Sequence, residues 1–379
     1  MSAKSKSARE FTHSQVAAFR MAAHHLHDSP GDSVEAICGA ISGVQAQVMS
    51  CAELQFWARN HAITRAQISR GLYDDRSLAK TTLMRQTLHI IPACDFPLFI
   101  SALEPTLLAQ VHRIAGKLGV TADDFTRLNA QVLEVLRDGP LTQPEIRKRV
   151  QPRASKRMKA WMSRVWSILR TPVAQGLICY GPARGAQITF TRTDKWLRGR
   201  LKRMDARTAQ QTLLMRYLAA YGPGTPRDFA KWSGIRMSEI KEAWGAVKDQ
   251  LVEVILEGEA AWLPRKSLKD LRAARFSDSV VRLLPSFDPF LLAHAAKDHL
   301  VHPAHYKRVY GKQWWISPVV LIDGRVAGIW SHTRKSGNLR IEIEPFEKFS
   351  KKIRVLIEEE SASMARFLDS SLELKFSGD

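Results

Sequence analysis

The chain has 379 residues, with 57 Lys and Arg against 37 Asp and Glu, a formal net charge of +20. That length can bury substantial cores in roughly two to four domains, and the charge points to a polyanionic partner rather than a neutral small-molecule enzyme. No apolar run is long enough for a membrane span, and the basic stretch at residues 1–9 is followed by Glu10-Phe11-Thr12-His13, which is no apolar signal core.

Helix starts are marked by Ser or Thr followed three residues later by Glu or Gln, a pairing in which two side chains satisfy otherwise orphaned backbone N–H groups. Thr12/Gln15, Ser50/Glu53, Thr64/Gln67 and Thr142/Glu145 fit it. The first opens a helix over residues 12–25, and a turn at Ser29-Pro30-Gly31-Asp32 leads to a second over 33–42. An extended connection over 44–49 separates it from a third helix near Ser50, and a fourth covers 64–71. Residues 83–91 read as one extended segment before a helix that begins at Pro92-Ala93-Cys94-Asp95.

Next come a helix over 122–136, a short helix capped by Thr142, and a long basic helix from Ser155 through Ala174. Residues 177–180 and 187–191 form a hairpin around Gly181-Pro182-Ala183-Arg184-Gly185, giving the helix, helix, recognition helix, wing order of a winged helix. Gly139-Pro140-Leu141-Thr142 recurs 83 residues later as Gly222-Pro223-Gly224-Thr225, flanked by helices over 206–221, from Pro226 and from Ser238, and by a hairpin at 252–256 and 261–263. Glu253, Glu257 and Glu259 make this third wing unsuited to phosphates, so an architectural role is expected. From Val280 the pattern turns to strands at 281–284, 316–322, 325–330 and 339–343, with a tight turn at Asp323-Gly324 and a final helix over 345–367. Ser331-His332-Thr333-Arg334-Lys335-Ser336-Gly337 reads as a basic hairpin tip that could probe a groove or be a solvated turn.

Charge is concentrated in the second unit, where sixteen Lys and Arg between residues 141 and 203 face only Glu145 and Asp194. Lys156, Arg157, Lys159 and Arg164 lie on its basic helix and Arg184 at its wing, all suited to phosphates. Cys38, Cys51, Cys94 and Cys179 show no zinc spacing and read as reduced structural thiols. His294, His299, His302 and His305 have a metal-like spacing, but Pro303 interrupts them and Asp298 adjoins Lys297, so no metal site is expected. The tryptophans read as core and inter-domain anchors rather than stacking platforms.

Gln45-Ala46-Gln47 is the most informative polar motif, although Gln-x-Gln is common on its own and also fits an ordinary polar loop. In an extended connection the two side chains point to one side, and each amide offers an acceptor oxygen and two donors that can hold a water. Together with Arg85-Gln86-Thr87-Leu88-His89-Ile90-Ile91-Pro92, Tyr221-Gly222-Pro223, Asp228-Phe229-Ala230-Lys231-Trp232, Leu284-Pro285-Ser286-Phe287-Asp288-Pro289 and Asp323-Gly324-Arg325-Val326-Ala327-Gly328-Ile329-Trp330, it makes the chain resemble the AlkZ/YcaQ-like bacterial DNA glycosylases over nearly its whole length.

The resemblance implies an α+β, mainly α fold: three tandem winged-helix domains (1–118, 119–204, 205–278) and a C-terminal β-rich domain (279–379) around a concave basic channel. It implies that Gln45 and Gln47 are the catalytic pair, and Gln47, where the YcaQ-like branch has aspartate, places the chain with the AlkZ branch, associated with azinomycin-type crosslinks. The expected activity is monofunctional: hydrolysis of N-glycosidic bonds of cationic N7- or N3-alkylated purines, bulky adducts and interstrand crosslinks included. A lesion already positive leaves without a strong acid, so two amides that orient a water suffice. No lysine stands out as a Schiff-base nucleophile. Arg85 and His89 are expected near the lesion, and His332, Arg334 and Lys335 in a groove. The partner is double-stranded DNA with alkylated bases, bound by a cytoplasmic, nucleoid-associated monomer that needs no cofactor and no membrane. A winged-helix transcription regulator would share the charge and repeats but has no need of the glutamine motif or the C-terminal β domain, and a non-catalytic damage-binding protein would use the same channel.

Overall fold

The computed structural model describes residues 10–27, 31–165, 167–197, 202–311 and 315–377. The basic start at residues 1–9, Ser29 and Pro30 of the expected turn, and Arg198 and Arg200 of the basic segment lie outside them. The architecture is mixed α+β, with four sheets among the described residues.

Local capping explains most helix starts. After β1 (Glu10–Phe11), the Thr12 hydroxyl accepts from Gln15 N and opens helix His13–Ala23, and Ser33 does the same for Val34–Ala40. β2 (Val44–Gln45) then runs into helix Met49–Trp57. The expected Ser50/Glu53 box does not form: Val48 is the N-cap without a side-chain bond, and Glu53 pairs with Arg65 at 2.9 Å. The extended connection is likewise shorter than the 44–49 expected, because the chain bends at Gln47 and enters the helix two residues later.

Thr64 and Gln67 form a reciprocal box for helix Arg65–Tyr73, which leads to β3 (Leu78–Thr82) and β4 (Leu88–Pro92). Residues 83–91 are therefore not one strand. Leu83 leaves the β region and Arg85 and Gln86 take positive φ of 55° and 61°, so the chain reverses into a hairpin whose first strand precedes the expected segment. The three strands pair antiparallel in the order β2-β4-β3. Helix Phe96–Gly116 follows Pro92 as expected.

In the second unit, boxes at Thr121/Asp124 and Thr142/Glu145 start helices Ala122–Val135 and, after β5 (Leu141–Thr142), Gln143–Val150. Ser155 caps Lys156–Arg164, but the long basic helix breaks there and resumes as Arg170–Ala174. Two bonds account for the break: Arg147 Nη2 donates to Met162 O at 2.9 Å at the helix end, and the Ser167 hydroxyl accepts from Leu169 N at 3.2 Å. β6 (Ile178–Arg184) and β7 (Gln187–Arg192) extend through the expected five-residue turn to within two residues of each other, with an irregular register between Gly181 and Arg184, in the order β5-β7-β6.

Helix Ala206–Tyr221, then Pro226–Ser233 with a Thr225/Asp228 box, Met237–Val247, and the hairpin β8 (Leu251–Leu256) and β9 (Glu259–Pro264) repeat the pattern. β1 adds to this hairpin, parallel to β8, and Glu257 accepts from His13 N at 3.1 Å, so the acidic wing holds the N-terminal segment.

The last sheet runs in sequence order: β10 (Val281–Leu284), β11 (Val319–Ile322), β12 (Arg325–Lys335), β13 (Asn338–Pro345) and β14 (Ser371–Phe376). β11 begins later than expected because Pro318 lacks the N–H a ladder needs. Pro345 ends β13, so the closing helix starts at Lys351 under a Ser350 cap, and it is not the final element: β14 returns parallel to β13.

One large core fuses the first unit with this sheet, joining Ile37, Phe56 and Trp57 to Leu283, Val320 and Trp330, and Trp57 Nε1 donates to Ser363 at 3.2 Å. Each such fully buried side chain contributes about 1.5–3 kcal/mol. At its edge, Arg59 grips Asp288 with two 2.8 Å bonds, both side chains wholly buried. A second core packs β3, β4 and the 96–116 helix on the third unit, whereas the second unit keeps a core of its own around Phe125, Trp161 and Ile178.

Candidate active site

The glutamine motif sits where β2 meets β4. Gly43 has φ 107°, and a Cβ there would lie 3.0 Å from Ile91 Cγ2, so only glycine brings the chain this close before Val44. Val44 and Gln45 pair with Ile90 and His89, and Ala46 N donates to Leu88 O at 2.7 Å. The two glutamines do not share an environment. Gln45 is 5% exposed, whereas Gln47 is exposed and its Oε1 accepts only a long bond, 3.4 Å, from Leu88 N.

Gln45 is held at both ends. Its backbone carbonyl accepts from Gln55 Nε2 at 2.9 Å and its Oε1 from Arg85 Nη2 at 3.0 Å. Arg85 Nη1 donates to Trp232 O at 2.5 Å, so one guanidinium ties the motif to the third unit. The consecutive left-handed residues Arg85 and Gln86 cost about 1–3 kcal/mol each, and such strain collects at functional turns. Gln86 is fastened in turn by Arg170 of the second unit.

Burial lowers the Arg85 pKa to about 10, which leaves it cationic at neutral pH. Burial and the charge of Arg85 push His89 down to about 3, so His89 is neutral and its Nδ1 donates to Thr87 O at 3.0 Å. Arg85 and His89, both expected near the lesion, thus lie against the glutamine motif.

The expected phosphate contacts are all exposed, and Arg157 and Arg184 are also ion-paired. Arg157 grips Asp124 at 2.6 and 3.2 Å, which draws the carboxylate down to about 2. Arg184 is bound to Glu145 at 3.0 Å and to Pro140 O at 2.6 Å. Lys156, Lys159 and Arg164 lie exposed on their helix, and His332, Arg334 and Lys335 lie exposed on β12, where Arg334 Nε donates to Ser370 at 2.9 Å.

The structure adds residues that no sequence signal marked. Gln55, Arg170 and Tyr180 support the motif and its hairpin from elsewhere in the chain, with Tyr180 OH 3.3 Å from Thr82 Oγ1. Lys297 is 7% exposed, and burial together with Arg85 and Lys231 lowers its pKa to about 7. Among the described residues no group of three His, Cys, Asp or Glu could hold a metal, and no helix is long and apolar enough to cross a membrane. Within the expected histidine cluster, His294 bonds Tyr221 O at 2.9 Å and His305 stacks on Phe346. All four cysteines are free; Cys38 and Cys179 are buried, but Cys94 is exposed.

A cleft of about 500 Å³ opens beside Gln47, between the β3–β4 turn and the second unit. No Asp or Glu lines it among the described residues. A model of the family described as DNA glycosylase AlkZ-like matches residues 39–367. The chain belongs to this family. A curated relative, the interstrand DNA cross-link repair glycosylase of Streptomyces sahachiroi, is 32% identical over 365 residues, spanning 93% of this chain and 95% of that protein. The solved structure of the Streptomyces sahachiroi DNA glycosylase AlkZ superposes with a TM-score of 0.84 at 31% identity, over 97% of this chain and all of that one. As an AlkZ-like glycosylase, the protein is an enzyme that acts on DNA, a polyanion in keeping with its net charge of +20.

Proposed function

We propose that this glycosylase hydrolyses the N-glycosidic bond of cationic N7- or N3-alkylated purines in double-stranded DNA, bulky adducts and interstrand crosslinks included. The observation that carries the reading is an exposed glutamine at a carboxylate-free cleft, backed by a second glutamine that an arginine clamps. Hydrolysis of an unmodified nucleoside needs an acid to protonate the leaving base. An alkylated purine already carries the positive charge, so the bonding pair leaves with the base and neutralises it. What remains is an oxocarbenium-like sugar and a water whose oxygen bonds to the anomeric carbon while its proton passes to solvent.

Gln45 and Gln47 divide that work. Gln47 has an oxygen lone pair and two N–H donors toward the cleft, enough to fix a water at the anomeric carbon. Arg85 occupies one side of the Gln45 oxygen and fixes the amide plane, so that the second lone pair of that oxygen can face the positive charge that develops on the sugar. Arg85 and His89 act by holding this geometry. Lys156, Lys159, Arg164, His332, Arg334 and Lys335 supply DNA contacts, and Arg157 and Arg184 can exchange their carboxylates for phosphates. The division 1–118, 119–204 and 205–278 into three winged-helix units before a β-rich domain, 279–379, is supported by the hairpins β3–β4, β6–β7 and β8–β9, each preceded by helices; a concave channel and a monomeric state complete the proposal.

The test is incubation with an N7-methylated duplex and with a purine-crosslinked duplex. Free methylpurine, strand breaks that appear only after alkali, and conversion of the crosslink to separable strands are expected. Tight DNA binding with no base released from either substrate would refute the reading.

A further inference from the structure

The cleft beside Gln47 is larger and more apolar than a methylated base requires. Its volume of about 500 Å³ lies in the range of sites for whole small molecules, ~300–1,000 Å³. Its wall is made by Leu88, Leu107, Val173, Tyr180, Ile188 and Phe190. Polar groups on the lining are already engaged with one another: Ser167 donates to Gln143 Oε1 at 2.7 Å, Tyr180 meets Thr82, and Arg170 is bonded to Gln86. Apart from Gln47 and Gln187, the unmet surface is therefore largely hydrophobic. Ile188 is 49% exposed at the mouth, on a wing of the most basic unit, where phosphate binding gives no reason for an aliphatic side chain.

We infer that this cleft is a subsite for an apolar substituent of aromatic size carried by the alkylated purine, with Ile188 and Tyr180 as walls that select for it. The inference rests on the reading that Gln47 addresses the sugar of the lesion. With the anomeric carbon at Gln47, a substituent on the purine is held within the same lesion and needs a pocket next to that residue. The Arg170–Gln86 and Tyr180–Thr82 bonds join the two units across the cleft and keep it open as a pre-formed site.

The experiment compares the affinity of full-length protein for duplexes with one N7-methylguanine or one N7-benzylguanine, both on a 2′-fluoroarabino sugar that resists hydrolysis. The wild type is expected to bind the benzyl duplex about tenfold more tightly, within what burial of one apolar group supplies. Ile188→Ser is expected to cut that preference to about twofold, and Ile188→Met to retain it; Ile188 is half exposed, so neither change burdens folding. Equal wild-type affinities, or a preference that Ile188→Ser leaves whole, would overturn the subsite. Excision of N7-methylguanine from the natural sugar is measured alongside. Excision without a benzyl preference fails the subsite alone, whereas a benzyl preference without excision fails the hydrolysis reading and leaves the subsite standing.

Discussion

Arg85→Ala should lower both stability and the rate of base release, and the two losses have different origins. The substitution deletes the bond to Trp232 O at 2.5 Å and the bond to Gln45 Oε1 at 3.0 Å. Hydrogen bonds to a charged group contribute about 1.5–3 kcal/mol each, and the carbonyl of Trp232 would be left without its donor, so a stability loss of about 3–6 kcal/mol is expected in chemical denaturation. The freed Gln45 amide then rotates, and a misplaced catalytic dipole costs about 10–100-fold in single-turnover excision, near 1.4–2.7 kcal/mol of barrier. Arg85→Lys should recover part of the stability but little rate, because an ammonium cannot span both acceptors in the plane of a guanidinium. The decisive comparison is the double variant: if Arg85 acts through Gln45, then Arg85→Ala adds almost nothing to the rate loss of Gln45→Ala. Additive losses, or an Arg85→Ala protein that excises at the wild-type rate, would refute the reasoning.

Other outcomes follow from the same geometry. Asp124 is held down to about 2, chiefly by the hydrogen bond from Arg157; its folded value is below the unfolded one, so its stabilisation is present above about pH 4 and is lost as pH falls toward 2. Asp124→Asn should therefore flatten the acid limb of thermal unfolding in that window, and an unchanged limb would count against the pair. Lys159→Ala should weaken binding to any duplex and reduce the salt slope of log K by about 0.9, the signature of one lost phosphate contact. Asp288→Ala should destabilise by about 3–5 kcal/mol, because it leaves Arg59 buried without its carboxylate; a loss under about 1 kcal/mol in urea would contradict that account.

Much of this fold is legible in the sequence because its helices announce themselves. Thr64, Thr142 and Ser155 cap where their chemistry says, and helix Ala206–Tyr221 has the expected bounds. Several misreadings come from tertiary contact overriding local pattern, whereas Pro318 and Pro345 are local signals that delay β11 and end β13. Arg147 holds the Met162 carbonyl where periodicity would continue the helix, and Leu83 to Gln86 turn because Trp232 and Arg170 hold them from other units. β14 escaped notice because its parallel pairing with β13 depends on a return across a helix. At the site, Gln45-Ala46-Gln47 is visible as a motif, but alternation could not show that one glutamine is buried under an arginine and the other exposed. The cleft was invisible for the same reason: Leu88 and Ile188 lie a hundred residues apart and meet only in the folded chain.

The most direct test of the central claim is single-turnover release of N7-methylguanine by the Gln47→Ala protein beside the wild type, at saturating enzyme so that binding does not limit the rate. Gln47→Ala is expected to lose at least about 100-fold, the scale of a misplaced water or a removed transition-state dipole, with DNA affinity retained. Release by Gln47→Ala at the wild-type rate would contradict it and would mean that another group positions the water.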